Sequence, residues 1–491
     1  METTKQSLKN KTTTSFIWKF AERCGAQGVS FVVSIVLARL LAPEDYGSIA
    51  LITVFINILQ VFVDSGMGTA LIQKQNADDL DFSTVFYFNV FICTVIYTIT
   101  YALAPFVARF YKDESLTSVV RVLCLTIVIS GVKNIQHSYV SKKMIFKKFF
   151  YATLGGTIGA AVVGITMAYL GFGMWALVAQ QLFNTTVDTI ILWVTVKWRP
   201  KRMFSMNRLA ELYSYGWKIV VSALVTNIYL NIQSLIIGVK YSTVDLAYYN
   251  KGKTFPALVT NNANSAIDSV MLPVFAFKQD DLSKVKQMLR KTIKMISYIV
   301  WPMMFGMFAT ANSIISIFLT DKWLPCVPFL YLFCLMQGLE PLNAVNLNAI
   351  KALGNSDIFL KIEIIKKIIG IIIIVITMQM GVMAMTYGLL ATCILSFFIN
   401  AYPNKRLLDY SIQELLKDIA PSIVMAIIMC IIVMCFNRLQ CNTILLFIIQ
   451  IFVGVVSYVV LSKIFKIEEM SYLIEIIQRK IKKRKNKPIN K

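Results

Sequence analysis

Fourteen apolar segments, each close to the length that crosses a bilayer, follow one another from about residue 16 to residue 463, with short polar joints between them. A transmembrane helix needs about 20 mostly apolar residues to cross a hydrocarbon core about 30 Å thick. In that solvent each backbone amide must be paired inside the structure, which leaves helices as the form for such runs. The spans lie near residues 16–38, 48–66, 82–108, 117–136, 153–170, 173–196 and 214–238. The remainder lie near 247–275, 292–314, 327–350, 361–380, 383–402, 418–436 and 442–463. The chain is 57% hydrophobic and 15% charged, with a mean hydropathy of +0.65, whereas a soluble domain carries about 25% charge. The expected fold is therefore an all-α polytopic membrane protein.

The joints sort their charge. With the N-terminus placed in the cytoplasm, 37 of the 49 Lys and Arg fall on the inner side, seven on the outer side and five within spans. That asymmetry is the positive-inside pattern, and it sets both termini in the cytoplasm with an even number of spans. Fourteen is the expected number, with twelve as the alternative. The net charge of +23 then has a membrane cause rather than a nucleic-acid one. The opening METTKQSLKNKTTTSF has no signal-peptide core, so the first span is expected to direct insertion. The nine cysteines show no CxxC spacing and lie mostly in apolar runs, as small core residues do.

Spans one to six and seven to twelve read as two copies of one unit. Phe16-Ile17-Trp18-Lys19 is echoed by Tyr215-Gly216-Trp217-Lys218. Asp64-Ser65-Gly66-Met67, followed by Lys74-Gln75, is echoed by Asp268-Ser269-Val270-Met271, followed by Lys278-Gln279, at the same offset of 204. An even number of spans per copy makes the repeat parallel, a plan in which two halves rock about a central site. The expected domains are a six-helix bundle over 1–200, a second over 201–404, two additional transmembrane helices over 405–465 and a basic cytoplasmic tail over 466–491. The repeat predicts a cavity between the halves, near spans one, two, seven and eight.

Several motifs carry a family resemblance. The run Val36-Leu37-Ala38-Arg39-Leu40-Leu41-Ala42-Pro43-Glu44-Asp45-Tyr46-Gly47 and the run Asp64-Ser65-Gly66-Met67-Gly68-Thr69-Ala70-Leu71-Ile72-Gln73 are the most specific. They resemble bacterial Wzx-type polysaccharide flippases of the multidrug/oligosaccharidyl-lipid/polysaccharide exporter superfamily, over essentially the whole chain. The resemblance implies translocation of an undecaprenyl-diphosphate-linked oligosaccharide, an O-antigen, capsule or exopolysaccharide repeat unit, across the inner membrane. It implies alternating access coupled to Na+ or H+, with polysaccharide polymerase and export machinery as partners. Cationic residues in a central cavity would meet the diphosphate.

Ionisable residues within spans cost about 2.5–3.5 kcal/mol each to insert at a helix centre, so they mark water or a partner. Lys19 and Arg23 share a face of span one at i,i+4. Arg suits a diphosphate through bidentate geometry, while snorkelling to the head groups and pairing with Glu22 are the structural alternatives. Lys218 is the repeat mate of Lys19, and Lys251 and Lys253 sit near the outer end of span eight. Asn231 and Gln233 add amides that a sugar or a neighbouring helix would satisfy. Asp64, Asp268 and Glu340 are candidates for a gate or a coupling-ion site, with helix capping and loop pairing as the plainer reading.

No GxxxxGK[ST] phosphate loop occurs, the single histidine is His137, and the outer joints are too short for a periplasmic catalytic domain. No enzyme activity, metal or cofactor is expected, and no nucleic-acid partner. The rival function is a cation-coupled multidrug antiporter of the same superfamily. A membrane scaffold is a third class, against which the repeat and the intramembrane charges argue.

Overall fold

The computed structural model describes residues 2–64, 66–111, 113–438, 442–472, 475 and 478, with side chains described for these except 2–17, 19, 20, 215, 266, 268 and 269. Regular structure among the described residues is helical throughout, and the chain divides into two compact units, one ending at Ala247 and one beginning at Tyr248. The first holds α1 (Glu2–Leu40), α2 (Pro43–Asp64), α3 (Met67–Gln73), α4 (Asp79–Phe110), α5 (Leu116–Leu123) and α6 (Leu125–Lys143). It continues through α7 (Lys147–Tyr169), α8 (Met174–Thr195), α9 (Met206–Lys240) and the start of α10 (Thr243–Phe277). The second holds the rest of α10, then α11 (Leu282–Ala309), α12 (Ala311–Phe318), α13 (Val327–Ala352) and α14 (Ser356–Thr377). It closes with α15 (Val382–Leu408), α16 (Ile412–Cys435) and α17 (Thr443–Ile464).

Eleven helical segments among the described residues are long and apolar enough to cross a membrane. This is the all-helical, multi-pass architecture that the apolar runs require. Helices α8, α10 and α14, of 22, 35 and 22 residues, occupy the places of spans six, eight and eleven but are too polar to qualify by composition. Their polarity comes from Asp188 in α8, from Lys251, Lys253 and four asparagines in α10, and from Lys361, Glu363, Lys366 and Lys367 in α14.

In the first unit the tightest packing is between α7 and α8. Gly155, Gly156, Gly159 and Gly164 line one side of α7, and a Cβ on any of them would come within 2.7–3.0 Å of Ile191, Asn184, Phe183 or Gln180 on α8. Small residues that let helix backbones approach are how membrane helices associate where apolar burial offers little drive. Span two breaks at Gly66, which adopts φ +64. A Cβ there would sit 2.2 Å from the Gly216 carbonyl oxygen of α9, so both the conformation and the close approach require glycine.

The segment between α8 and α9 is strapped to the start of α4. The Lys201 amide donates to Ser83 Oγ at 3.0 Å, and the Ser205 amide donates to Thr84 Oγ1 at 3.2 Å. Lys74 bridges Asp81 and Glu211, each at 3.1 Å, joining the α3–α4 joint to α9. Partial burial opposes the charged form of Lys74, but the hydrogen bonds its ammonium donates to Glu211 and Asp81 prevail and hold its pKa above the ordinary lysine value. Asp78 caps α4 in a reciprocal capping box with Asp81. The backbone amide of Asp81 holds the Asp78 carboxyl below the usual carboxylate range.

The second unit centres on α11, α13, α15 and α16, whose buried faces bring Val285, Leu289, Leu342, Val345, Phe397 and Ile419 into one cluster. Helix α16 begins with a Ser411–Glu414 capping box. It is fastened to α11 by Arg290, which donates to both oxygens of Asp418 at 2.8 and 2.9 Å. The Tyr410 hydroxyl donates to the same carboxylate at 2.9 Å. Helix α17 is fastened to α11 by the Tyr458 hydroxyl, which donates to the Tyr298 carbonyl at 3.0 Å.

Of the eight described cysteines, all free, Cys93, Cys124, Cys326, Cys334, Cys393 and Cys430 are buried, while Cys24 and Cys435 are exposed.

Candidate functional site

Charged side chains that the fold carries to membrane depth form one group in each unit. In the first, Lys133 of α6 lies 3.0 Å from Asp188 of α8, both part-buried. Lys133 stands ten residues before the C-terminal end of α6 and Asp188 seven before that of α8, which places them about 15 and 10 Å along their helices. Asp64, exposed at the C-terminal end of α2, is within electrostatic reach of Lys133. Asn134, beside Lys133, donates its side-chain amide to the Val63 carbonyl at 3.0 Å and ties this group to α2.

In the second unit, Lys253 of α10, Glu340 of α13 and Lys366 of α14 lie within electrostatic reach of one another's charges through Glu340. Lys253 is ten residues from the start of α10, Glu340 is mid-way along α13, and Lys366 is ten residues into α14. Helix geometry therefore brings all three to comparable depth, about 15–20 Å from the helix ends. Lys366 pairs with Glu363 at 2.5 Å. Lys253 and Glu340 are exposed, so they border open space rather than the packed core.

Buried amides extend the group. Thr260 donates to Gln337 Oε1 at 2.5 Å, Asn400 to Asn343 Oδ1 at 3.0 Å, and Asn404 to Asn346 Oδ1 at 2.8 Å. Paired amides of this kind satisfy polar groups at lipid depth without a cavity.

The other residues singled out from the sequence are placed individually. Arg23 is exposed on α1, and its neighbour Glu22 accepts a hydrogen bond from Thr153 of α7 at 3.3 Å. Lys218 is exposed on α9. Lys251 is 6% exposed, with its ammonium 5.4 Å from the centroid of Trp323, a cation–π distance. Asn231 donates to the Asn227 carbonyl of its own helix at 2.9 Å, and Gln233 is buried. The side chains of Lys19 and Asp268 lie outside the described residues.

Four groups escape a reading by loops. Lys133, Lys361, Lys366 and Lys367, counted above as inner-joint cations, stand within α6 and α14. These positions already lie inside the expected spans near 117–136 and 361–380, so it is their closeness to a span end that lets them pass for joint residues. Asp188 and Glu363 likewise lie inside spans six and eleven, and they are the acids paired with Lys133 and Lys366. The available signal was an opposite charge on a neighbouring span, since an intramembrane cation needs a partner.

Comparison with known proteins decides the family. The model of the polysaccharide biosynthesis protein family matches residues 36–328. The chain belongs to that family. It is 24% identical over 323 residues to the succinoglycan biosynthesis transport protein ExoT of Rhizobium meliloti, covering 66% of this chain and 65% of that protein. It is 25% identical over 307 residues to the teichuronic acid biosynthesis protein TuaB of Bacillus subtilis, covering 61% of this chain and 62% of that protein. The chain thus spans slightly under two thirds of the length of these two relatives. With the lipopolysaccharide biosynthesis protein WzxC of Escherichia coli it shares 23% identity, over 81% of this chain and 82% of that protein.

Among solved structures, the lipid II flippase MurJ in its inward closed conformation superposes with a TM-score of 0.75 at 15% identity, covering 92% of this chain and 98% of that one. An inward-facing multidrug resistance MATE family transporter superposes with a TM-score of 0.59 at 13% identity, covering 77% and 94%. At these identities the likeness is one of fold. The chain is thus a member of the polysaccharide biosynthesis protein family with the many apolar helices of a multi-pass membrane protein.

Proposed function

We propose that the chain is a flippase that carries an undecaprenyl-diphosphate-linked oligosaccharide across the bacterial inner membrane by alternating access, with both termini in the cytoplasm. The observation that carries this reading is the family match over residues 36–328, joined to relatives named for succinoglycan, teichuronic acid and lipopolysaccharide biosynthesis. In this reading Arg23, Lys19, Lys218, Lys251 and Lys253 supply positive charge to the diphosphate, and Asn231 and Gln233 supply amides to the glycan. Asp64, Asp268 and Glu340 serve as gate or coupling-ion groups for Na+ or H+. The six-plus-six parallel repeat with two additional helices, and a working contact with polymerase and export machinery, belong to the same proposal.

The multidrug antiporter is the second reading, favoured by the MATE likeness, but that fold is shared by both classes and does not choose between them. Lipid extraction from a strain lacking the protein separates the two. Accumulated lipid-diphosphate oligosaccharide with loss of surface polysaccharide is the expected result. An unchanged lipid pool with intact surface glycan, in a strain without a redundant flippase, would transfer the assignment to the antiporter.

A further inference from the structure

The inner end of α11 borders a cleft of about 720 Å³. One wall is α11 itself, with Lys286, Arg290, Lys291 and Lys294 on the cleft side. The opposite wall is the segment that follows α17, with Glu468, Glu469 and Glu475. Residues 466–472 of that segment are held in place. Lys466 takes a left-handed turn at φ +50, and the Ile467 amide donates back to the Ser462 carbonyl at 3.0 Å. Ile467 and Met470 pack against the cluster of Tyr298, Met425 and Tyr458, and the Lys291 ammonium stands 3.9 Å from the Tyr472 ring centroid.

The cleft has a definite depth. Helix α11 reads LSKVKQMLRKTIK up to Lys294 and turns mostly apolar from Met295, which also lines the cleft. The change from charged to apolar marks the edge of the hydrocarbon layer, so the cleft lies at head-group level, on the side where the cationic joints collect.

Its charge is mixed rather than basic. Arg290 and Lys294 already share Asp418, and Lys286 meets Glu414 at 3.3 Å. An anionic lipid head group placed here would face Glu468 and Glu469 across the cleft. A ligand carrying both signs would satisfy both walls. A primary ammonium suits the acidic wall because it offers three N–H donors to carboxylates, which a quaternary ammonium lacks.

We propose that this cleft holds the phosphoethanolamine head group of an inner-leaflet phospholipid, with its phosphate toward Lys291 and the other α11 cations and its ammonium toward Glu468 and Glu469. The assignment is independent of the cargo, because the cleft lies away from the charges placed at membrane depth.

The test is native mass spectrometry of the full chain released from nanodiscs containing equal amounts of phosphatidylethanolamine, phosphatidylcholine and phosphatidylglycerol. The wild type should retain phosphatidylethanolamine in about tenfold excess over the other two, the ratio that one charge-assisted contact of about 1.4 kcal/mol gives. Glu468→Gln with Glu469→Gln should erase the preference over phosphatidylcholine. Glu468→Gln alone, at an exposed position beyond the last span, should reduce it and serves if the double variant does not accumulate. Lys291→Gln should lower retention of every phospholipid. Equal or greater retention of phosphatidylglycerol, or a preference untouched by the glutamine variants, would overturn the proposal. Displacement of the lipid by free O-phosphoethanolamine would assign the cleft to a soluble ligand and overturn it equally.

Discussion

At the residue scale the groups of interest are those that membrane insertion penalises, and each has an environment that accounts for its presence. Lys133 and Asp188 neutralise one another at 3.0 Å. Removing one partner leaves the other charge part-buried, which costs several kcal/mol at full burial. With the side chains 23% and 17% accessible, about 2 kcal/mol is the expected loss for Lys133→Met or Asp188→Asn. The double variant should lose less than the sum of the two, read by thermal unfolding of the purified protein. Additive losses would show that the pair contributes nothing as a pair. Arg23 is different in kind, since it is exposed on α1 and its change to alanine removes no packing. Arg23→Ala should abolish complementation of a flippase-deficient strain at unchanged membrane abundance. Full complementation would exclude a direct role in transport. These residues are unequally legible: Arg23 announces itself in an apolar run, whereas Lys133 and Lys366 stand close enough to a span end to pass for loop cations.

At the scale of elements, α8, α10 and α14 gather the argument. They fall short of the apolarity expected of a span because they carry Asp188, Lys253, Glu363 and Lys366, and the candidate groups were built from these residues. The length of a helix is legible from its apolar run, but its ends are not. Extension of α11 back to Leu282 turns what reads as a basic joint into a charged helical face. That face binds α16 through Arg290 and Asp418. Breaks were equally hidden. Gly66 divides span two because α9 passes within a Cβ radius of it, a tertiary fact with no local signature beyond the glycine itself. The α11–α16 clamp can be tested directly. Asp418 is 4% accessible at its side chain but its partners Arg290 and Lys294 are each 36% accessible, so solvent screens part of the interaction. Asp418→Asn should therefore cost about 1–2 kcal/mol and make the α16–α17 hairpin more sensitive to limited proteolysis at the joint before Ser411. Unaltered melting and cleavage would mean that apolar packing alone holds α16 to α11.

For the whole molecule, orientation follows from charge, and charge counted against the observed helices is less one-sided than charge counted against apolar runs. Lys133, Lys361, Lys366 and Lys367 move from joints into helices. The remaining inner joints and tail still hold most of the cations, including Lys142 and Lys143 at the inner end of α6, Lys147 and Lys148 at the start of α7, and the cluster Lys197, Arg199, Lys201 and Arg202. Positive joints resist translocation in proportion to their number near the span ends, so the few relocated charges do not reverse the assignment. A C-terminal fusion should therefore give fluorescence with green fluorescent protein and no activity with alkaline phosphatase, which folds only outside the cytoplasm. A fusion placed in the joint after α4, at Asp113, should give the opposite pair. The two sites test different things. Agreement at the C-terminus alone would be met by any even number of crossings, whereas the reversed result at Asp113 requires an odd number before it, as the three helical spans up to α4 supply. An active phosphatase at the C-terminus would demand an odd number of spans, and one of α8, α10 or α14, the three polar helices, would then be the one that fails to cross.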